Sequence, residues 1–286
     1  MIDQKNTKDT LVSLNTRTLF IFSTSGSLSS LEKHNTALQH MGINLAYFSF
    51  AHSIVPETYA NLLRSPISRG GAVTGQGLKI GVIPFLDWID DTSKTIGVVN
   101  TVVNHNGELH GYDTDAFGFQ SAIQNYLAKS NNQIKKAIIY GNGGVSGVAS
   151  YILQSMGIAT TMTGRNPERV KAKMRELHLT PLDGPFDLVV NATPVSSDKL
   201  ENATGLLDVL QGSKVVFDHN MPEKDGNPNY LKLFCDSNGI DFIPGNDMYI
   251  AQMIKQWTLF LDGFTDEGHT WHITEADIKK YWRLKL

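Results

Sequence analysis

The sequence predicts an α/β protein built from two domains. Apolar runs of strand length alternate with helical patterns along the chain, and the alternation restarts after residue 115. The 286 residues, 41% of them hydrophobic, suffice for two separate cores. Strands that alternate with helices imply a largely parallel sheet in each.

In the first series, residues 19–22 (Leu-Phe-Ile-Phe) read as a buried strand. A Ser- and Gly-rich turn covers 23–30, and a helix is predicted over 31–41. A second strand follows at 43–50 and a helix at 56–63. Gly70 and Gly71 open a loop, residues 80–89 look helical around Pro84, and 98–103 are strand-like. The second series begins with a helix over 116–127 and a strand over 135–140 that runs into Gly141-Asn142-Gly143-Gly144. Beyond this turn Val145, Val148, Ala149, Ile152 and Leu153 recur at helical spacing and mark one face of a helix. Strands are expected at 159–163, 187–191 and 213–217, and final helices at 248–260 and 276–282. The predicted division is a first domain of residues 1–114 plus 247–286 and a second of 115–246.

Bulk properties exclude several classes. The net charge is −3 with both signs dispersed, which argues against a nucleic-acid binder. No run of about 18 apolar residues is present, so no membrane helix is expected. Residues 1–18 lack the apolar run of a signal peptide. Cys235 is the sole cysteine and cannot form an internal disulfide, which fits a reducing compartment. A cytoplasmic location is therefore the default expectation. His34 reads as structural. His110, His219, His269 and His272 are scattered without metal-ligand spacing, so no metal is expected.

A strand, a glycine turn and a helix form the dinucleotide-binding arrangement, which makes the second domain Rossmann-type. Gly141 permits the tight turn, and Gly143 lets the backbone approach a pyrophosphate at the positive helix N-terminus. Ser146 occupies the third small position of G-x-G-x-x-G. The bland alternative is a plain structural turn. The end of the next strand selects the cofactor. NAD enzymes place an acid there for the ribose hydroxyls, but Thr163-Gly164-Arg165-Asn166-Pro167 holds none before Glu168. Arg165 and Arg169 can pair a 2′-phosphate through charge-assisted bonds, so NADP is expected over NAD. The alternative is two arginines on a solvated helix start. Asn191-Ala192-Thr193 ends the following strand and would flank the nicotinamide.

Six segments in order resemble the shikimate dehydrogenase family. Ser27-Leu28-Ser29 with His34-Asn35 is similar to its S-x-S-P-x-x-H-N, with Ser30 where the proline usually stands. Residues 97–101 (Gly-Val-Val-Asn-Thr) are similar to G-A-V-N-T. Residues 111–118 are similar to G-x-N-T-D-x-x-G, with Asp113 replacing the asparagine. Residues 141–145 resemble the G-A-G-G cofactor loop, Gly164-Arg165-Asn166 the N-R-T loop, and 248–252 the late M-L-x-x-Q. The resemblance implies a substrate domain from the N-terminal half plus the C-terminal helices, an NADP domain between, and an active site in the cleft. It implies a small-molecule ring acid as substrate, in a monomer or homodimer, and it adds Gly245 to the cofactor-binding residues.

The family writes V-T-x-P-x-K before an apolar helix, where this chain reads Val73-Thr74-Gly75-Gln76-Gly77-Leu78-Lys79. The downstream register makes Lys79 the matching lysine. Hydride transfer to a ring carbonyl builds negative charge on oxygen, which needs a proton or a positive field. An ammonium beside a carboxylate supplies both, since each holds the other charged, and the resemblance gives these roles to Lys79 and Asp115. Read alone, Lys79 is a surface lysine and Asp115 a helix cap. Ser27 and Ser29 can aim two hydroxyls at one carboxylate. Asn100 and Gln252 can both donate and accept, as ring hydroxyls require. Thr74 is the remaining substrate-binding candidate. Gln252 lies off the stripe Ile250, Met253, Ile254, Trp257 and is expected to face away from the main apolar contact.

Three positions depart from the family: the segment before Lys79, Asp113, and Asp218-His219-Asn220-Met221-Pro222 in place of D-x-x-Y-x-P. The substrate could thus be shikimate, quinate or a relative. A catalytically weak or inactive NADP-binding paralogue, acting as sensor or partner, is the rival from another class. A folate-linked dehydrogenase is disfavoured by the S-x-S and D-T-D segments, and a methyltransferase by Arg165 and the missing acid.

Overall fold

The computed structural model describes residues 14–50, 53–197, 205–221, 229–266 and 268–282. The chain divides into two compact units, residues 1–114 with 253–286, and residues 115–252. The second division lies inside a helix, six residues beyond the 246/247 boundary expected from sequence.

The first unit begins with β1 (Leu19–Ser23), α1 (Leu28–Met41), β2 (Leu45–Ser49), α2 (Pro56–Leu63) and β3 (Ser68–Ala72). It continues with α3 (Gln76–Gly81), β4 (Trp88–Ile89), α4 (Asp91–Ile96), β5 (Thr101–His105) and β6 (Glu108–Tyr112). The second unit holds α5 (Thr114–Lys129), β7 (Lys136–Tyr140), α6 (Gly144–Ser155), β8 (Ala159–Thr163), α7 (Pro167–Glu176) and β9 (Leu188–Asn191). It closes with α8 (Leu206–Leu210), β10 (Val215–Asp218), α9 (Tyr230–Asn238), β11 (Asp241–Pro244) and the start of α10 (Gly245–Leu261). A short ribbon, β12 (Thr265–Asp266) with β13 (His269–Thr270), and α11 (Glu275–Tyr281) return to the first unit.

The first unit's sheet has the order β2-β1-β3-β5-β6-β4. β1, β2 and β3 run parallel, and β5 is antiparallel to both its neighbours. Phe22, Tyr59, Leu63, Val82, Val99, Val102 and Leu109 pack one of its cores. Three expectations are corrected here. Gly70 and Gly71 do not open a loop; they sit inside β3, where every residue is buried. A Cβ on Gly71 would lie 2.2 Å from the Tyr59 hydroxyl and 2.8 Å from the Phe22 carbonyl. Glycine in a strand here marks a close approach of neighbours. Residues 80–89 are not one helix: Pro84 sits in a 3₁₀ turn, Ile83–Phe85, between α3 and β4. α1 starts at Leu28 rather than 31, because the Ser27 hydroxyl accepts the Ser30 amide and caps the helix.

His34 on α1 joins three helices of this unit. Its Nδ1 accepts the indole N–H of Trp257 at 3.2 Å and of Trp282 at 2.7 Å. Its ring lies 4.2 Å from that of Tyr47. Burial, with a smaller push from Lys33, lowers its pKa from 6.5 to about 3. The neutral imidazole is thus the folded form. The native state resists a proton that the unfolded chain accepts below about pH 6.5, so His34 makes stability fall as pH drops from there toward 3. We predict that thermal melts recorded from pH 7 to pH 4 lose stability at up to about 1.4 kcal/mol per pH unit from this group. His34→Gln should flatten that slope while lowering stability at pH 7; an unchanged slope would show that other groups set it.

The second unit's sheet is wholly parallel, in the order β11-β10-β9-β7-β8. Helices connect the strands, and Ile138, Tyr140, Val189, Leu206, Val216, Leu231 and Cys235 form one of its cores. Burial, followed by the charges of Asp236 and Asp218, pushes the Cys235 thiol up to about 12, so it is a packing residue. The strand order reverses between β7 and β9: from β7 the chain steps one way to β8 and then back past it to β9 and β10. In doubly wound sheets ligands bind outside the carboxyl ends of the strands at this point. No helix among the described residues is long and apolar enough to cross a membrane.

Candidate active site

In the first unit, β1, β2 and β3 end together and present a rim of hydroxyls. The Ser23 hydroxyl donates to that of Ser25 at 3.2 Å, and the Ser25 hydroxyl lies 3.0 Å from that of Ser49. The Ser27 and Ser29 hydroxyls are 3.0 Å apart at the start of α1. Thr74 follows β3; its amide donates to the Thr24 hydroxyl at 2.8 Å, and the two hydroxyls are 3.0 Å apart. The N-terminus of the 14-residue α1 adds a positive dipole end where Ser27 and Ser29 stand. Such a rim suits a small polyhydroxylated anion: neutral donors meet the hydroxyls, and the helix end meets the carboxylate.

Next to it, Asn100 is buried and its side-chain oxygen collects three donors. These are the Thr114 amide at 2.9 Å, the Thr114 hydroxyl at 3.0 Å and the Thr101 hydroxyl at 2.9 Å. The oxygen is thereby committed, and the Asn100 amide group is the part suited to a ligand. Lys79, half-buried on α3, is tied to the same segment through its carbonyl, which accepts the Val99 amide at 3.0 Å. Asp115 follows Thr114 as the second residue of α5. Gln256 was not anticipated from sequence. Buried on α10, it donates to the Thr101 hydroxyl at 2.8 Å and so supports the Asn100 network. Its spacing, four residues after Gln252 on one helix, was the available signal. Gln252 is buried in the second unit, and a Cβ built on Gly118 would lie 2.8 Å from its Cβ.

In the second unit, three loops converge where the strand order reverses. Gly141 has φ +113, and a Cβ there would lie 2.6 Å from the Thr193 methyl and 3.1 Å from the Ala192 carbonyl. Gly164 approaches Gly141 from the end of β8: a Cβ built on it would lie 3.6 Å from the Gly141 backbone. Asn142 is half-buried, Gly143 and Gly144 are exposed at the head of α6, and Val145 lies in its first turn. Gly143 caps α6 without a side-chain bond, which leaves the first amides of the helix to an anion. The buried Ser146 donates its hydroxyl to the Gly143 carbonyl at 2.5 Å, a role that the third glycine of the motif does not have. Arg165 and Arg169 are exposed beyond β8, on either side of the Asn166 cap of α7. The charge of Arg165 reaches the Tyr140 hydroxyl at the end of β7, whose pKa burial raises and this arginine partly restrains.

The ends of β9 and β10 are joined by amides. Asp218 is fully buried, and its carboxylate accepts from Asn191 at 3.0 Å, Asn220 at 2.8 Å and Asn229 at 2.8 Å. Asn191 accepts the Thr193 hydroxyl at 2.7 Å, and Asn220 donates to the Thr193 carbonyl at 2.7 Å. Gly245 packs under this loop: a Cβ there would lie 2.5 Å from the Asn220 carbonyl. Asn191 and Gly245 therefore shape the Ala192–Thr193 loop from below. Met221 is exposed, and Asn220 is the residue that reaches inward at this departure from the family pattern. Among the described residues no group of three or more His, Cys, Asp or Glu is placed to hold a metal.

No family model matches the sequence. Curated relatives do. A shikimate dehydrogenase (NADP(+)) of Bacillus cereus is 27% identical over 246 residues, covering 79% of this chain and 86% of the relative. One of Bacillus anthracis is 26% identical with the same coverage. The chain is related to the shikimate dehydrogenases. It also has their fold. A shikimate 5-dehydrogenase-like protein superposes with a TM-score of 0.75 at 22% identity, covering 96% of this chain and 100% of that one. Shikimate 5-dehydrogenase of Thermus thermophilus, in complex with NADP(H) and shikimate, gives 0.71 at 22% identity, covering 93% and 98%. Quinate dehydrogenase of Corynebacterium glutamicum, in complex with NAD, gives 0.70 at 22% identity, covering 86% and 93%.

Proposed function

We propose that this protein is an NADP-dependent oxidoreductase that interconverts 3-dehydroshikimate and shikimate, or a close relative such as quinate. The observation that carries the reading is the hydroxyl rim at the ends of β1, β2 and β3, set beside the Asn100–Thr114 lock and Lys79. The relation to NADP-dependent shikimate dehydrogenases points the same way.

In this reading Ser27 and Ser29 bind the ring carboxylate, and Thr74, the Asn100 amide and Gln252 hold ring hydroxyls. Lys79 donates a proton to the carbonyl oxygen as hydride arrives, or stabilises the alkoxide in the reverse direction, and Asp115 keeps the lysine charged. The second unit holds the dinucleotide: Gly141, Asn142, Gly143, Gly144 and Val145 cradle the pyrophosphate, and Arg165 and Arg169 take the 2′-phosphate. Asn191, Ala192, Thr193 and Gly245 form the wall on the nicotinamide side. The cofactor supplies the hydride; the chain's own residues orient the ring and move the proton.

The test is absorbance of the reduced nicotinamide with NADP or NAD and shikimate or quinate. We expect turnover with NADP to exceed turnover with NAD. The double substitution Arg165→Gln with Arg169→Gln should raise the KM for NADP by about tenfold or more and leave that for NAD little changed, since charge-assisted pairs contribute roughly 1.5–3 kcal/mol each. Equal effects on both cofactors would remove the arginines from the 2′-phosphate. NADP binding without turnover of either acid would favour the sensor or partner reading.

A further inference from the structure

We propose that the first unit carries a second ligand site, for a small oxyanion, in the cavity at the N-terminal edge of its sheet. The cavity has a volume of about 270 Å³ and is lined by Arg64, Ser68, Arg69, Asn104 and Asn106, with Leu19 at one side. It meets β1 and β3 at the ends opposite the hydroxyl rim. Five-residue strands place it about 16 Å from that rim.

Two observations point to an anion. The first is a buried cation without an ion pair. Arg69 is buried; the Asp262 carboxylate acts on it through its charge but makes no ion pair with it among the described residues. It donates instead to three carbonyls, of Phe260 at 2.6 Å, of Asn104 at 3.4 Å and of Asp262. A guanidinium has five N–H groups, so two remain. Burying a charge that no direct ion pair offsets is costly. The neighbouring Arg64 is paired with Asp87 at 2.6 Å and bonds the Gly107 and Phe85 carbonyls, leaving its Nε–H and one Nη2–H. Two guanidinium groups line the cavity and no acid does.

The second is an orphaned hydroxyl. Ser68 is only 4% exposed, lines the cavity, and its Oγ has no hydrogen-bond partner. Buried hydroxyls are normally satisfied. An oxyanion in the cavity accepts from Ser68 and from both guanidinium groups at once, which resolves the hydroxyl and the charge together. The cavity has room for such an ion with bridging waters.

Orthophosphate is the probe. Equilibrium dialysis with radiolabelled phosphate, at fixed ionic strength in sodium chloride and with saturating NAD to occupy the glycine loop, should be run on the full chain carrying Arg165→Gln and Arg169→Gln, which removes the two arginines of the cofactor loop. We expect saturable binding of one phosphate per chain, abolished by Ser68→Leu, which fills the cavity, and weakened at least tenfold by Arg64→Gln. Arg64 has a side chain 38% exposed, so its variant keeps the test open if Ser68→Leu does not fold. Displacement by acetate would extend the site to carboxylates, and resistance to acetate would confine it to phosphate. Absence of saturable binding, or binding undiminished in Arg64→Gln and in a folded Ser68→Leu, would overturn the proposal.

Discussion

Lys79→Ala should reduce kcat for shikimate oxidation by about 10²–10⁴-fold, the range that a positioned proton donor or acceptor contributes, while the KM for NADP stays within about twofold. The expectation follows from where the lysine is anchored. Its carbonyl accepts the Val99 amide, and the adjoining Asn100 fixes both the amide and the hydroxyl of Thr114. This ties the strand-to-helix corner that precedes Asp115 to the helix that carries Lys79. If the lysine acts in proton transfer, Lys79→Met should be as inactive as the alanine variant, because it keeps the length and loses the ammonium. An unchanged kcat in either variant would sink the assignment; a change in KM for shikimate alone would make Lys79 a binding residue.

The largest stability effect is expected from Gly71→Ala. The added methyl would stand 2.2 Å from the Tyr59 hydroxyl, 2.8 Å from a Leu63 methyl and 2.8 Å from the Phe22 carbonyl. None can retreat freely. Tyr59 is fully buried and donates to that same carbonyl at 2.7 Å, and Phe22 lies on the neighbouring β1. Overpacking of this kind costs about 1–3 kcal/mol, and more where backbone must shift. We expect about 3 kcal/mol or above in denaturant melts of the first unit, with the second unit's transition unaffected. Adding Tyr59→Phe removes the nearest atom and should recover part of the loss. A neutral Gly71→Ala would mean that β3 can move away from α2.

These two residues also show what the sequence discloses. α2 over 56–63 and β8 over 159–163 were predicted with the bounds observed, because their apolar spacing or bounding residues leave one reading. Gly70 and Gly71 suggest a loop in the sequence because glycine carries no side-chain pattern; only the neighbours reveal why a strand needs them. The β5–β6 hairpin was missed although it carries a local signal. Its two-residue turn is Asn106-Gly107, both with positive φ, as tight hairpins favour. The Gly141 turn is legible because short-range spacing sets it, whereas the Ser27–Ser29 pair stands out only through the family resemblance. Asn220 and the Arg69 cavity are not legible, because their partners lie far away in sequence, and the spacing of Gln256 from Gln252 marks a shared helix face without revealing its distant partner Thr101.

The divided first unit has a consequence for biosynthesis. Residues 115–252 form one uninterrupted segment, so the dinucleotide-binding unit of our proposal has all of its parts once that stretch leaves the ribosome. The first unit must wait. Arg69 seeks carbonyls at Phe260 and Asp262, and His34 takes its two indole donors from Trp257 and Trp282. Until residue 282 is made, Arg69 and His34 lack those native partners, so the first unit cannot complete its core before then. Vectorial synthesis would then impose an order, with the later-encoded unit maturing first, the reverse of the usual N-terminal-first sequence.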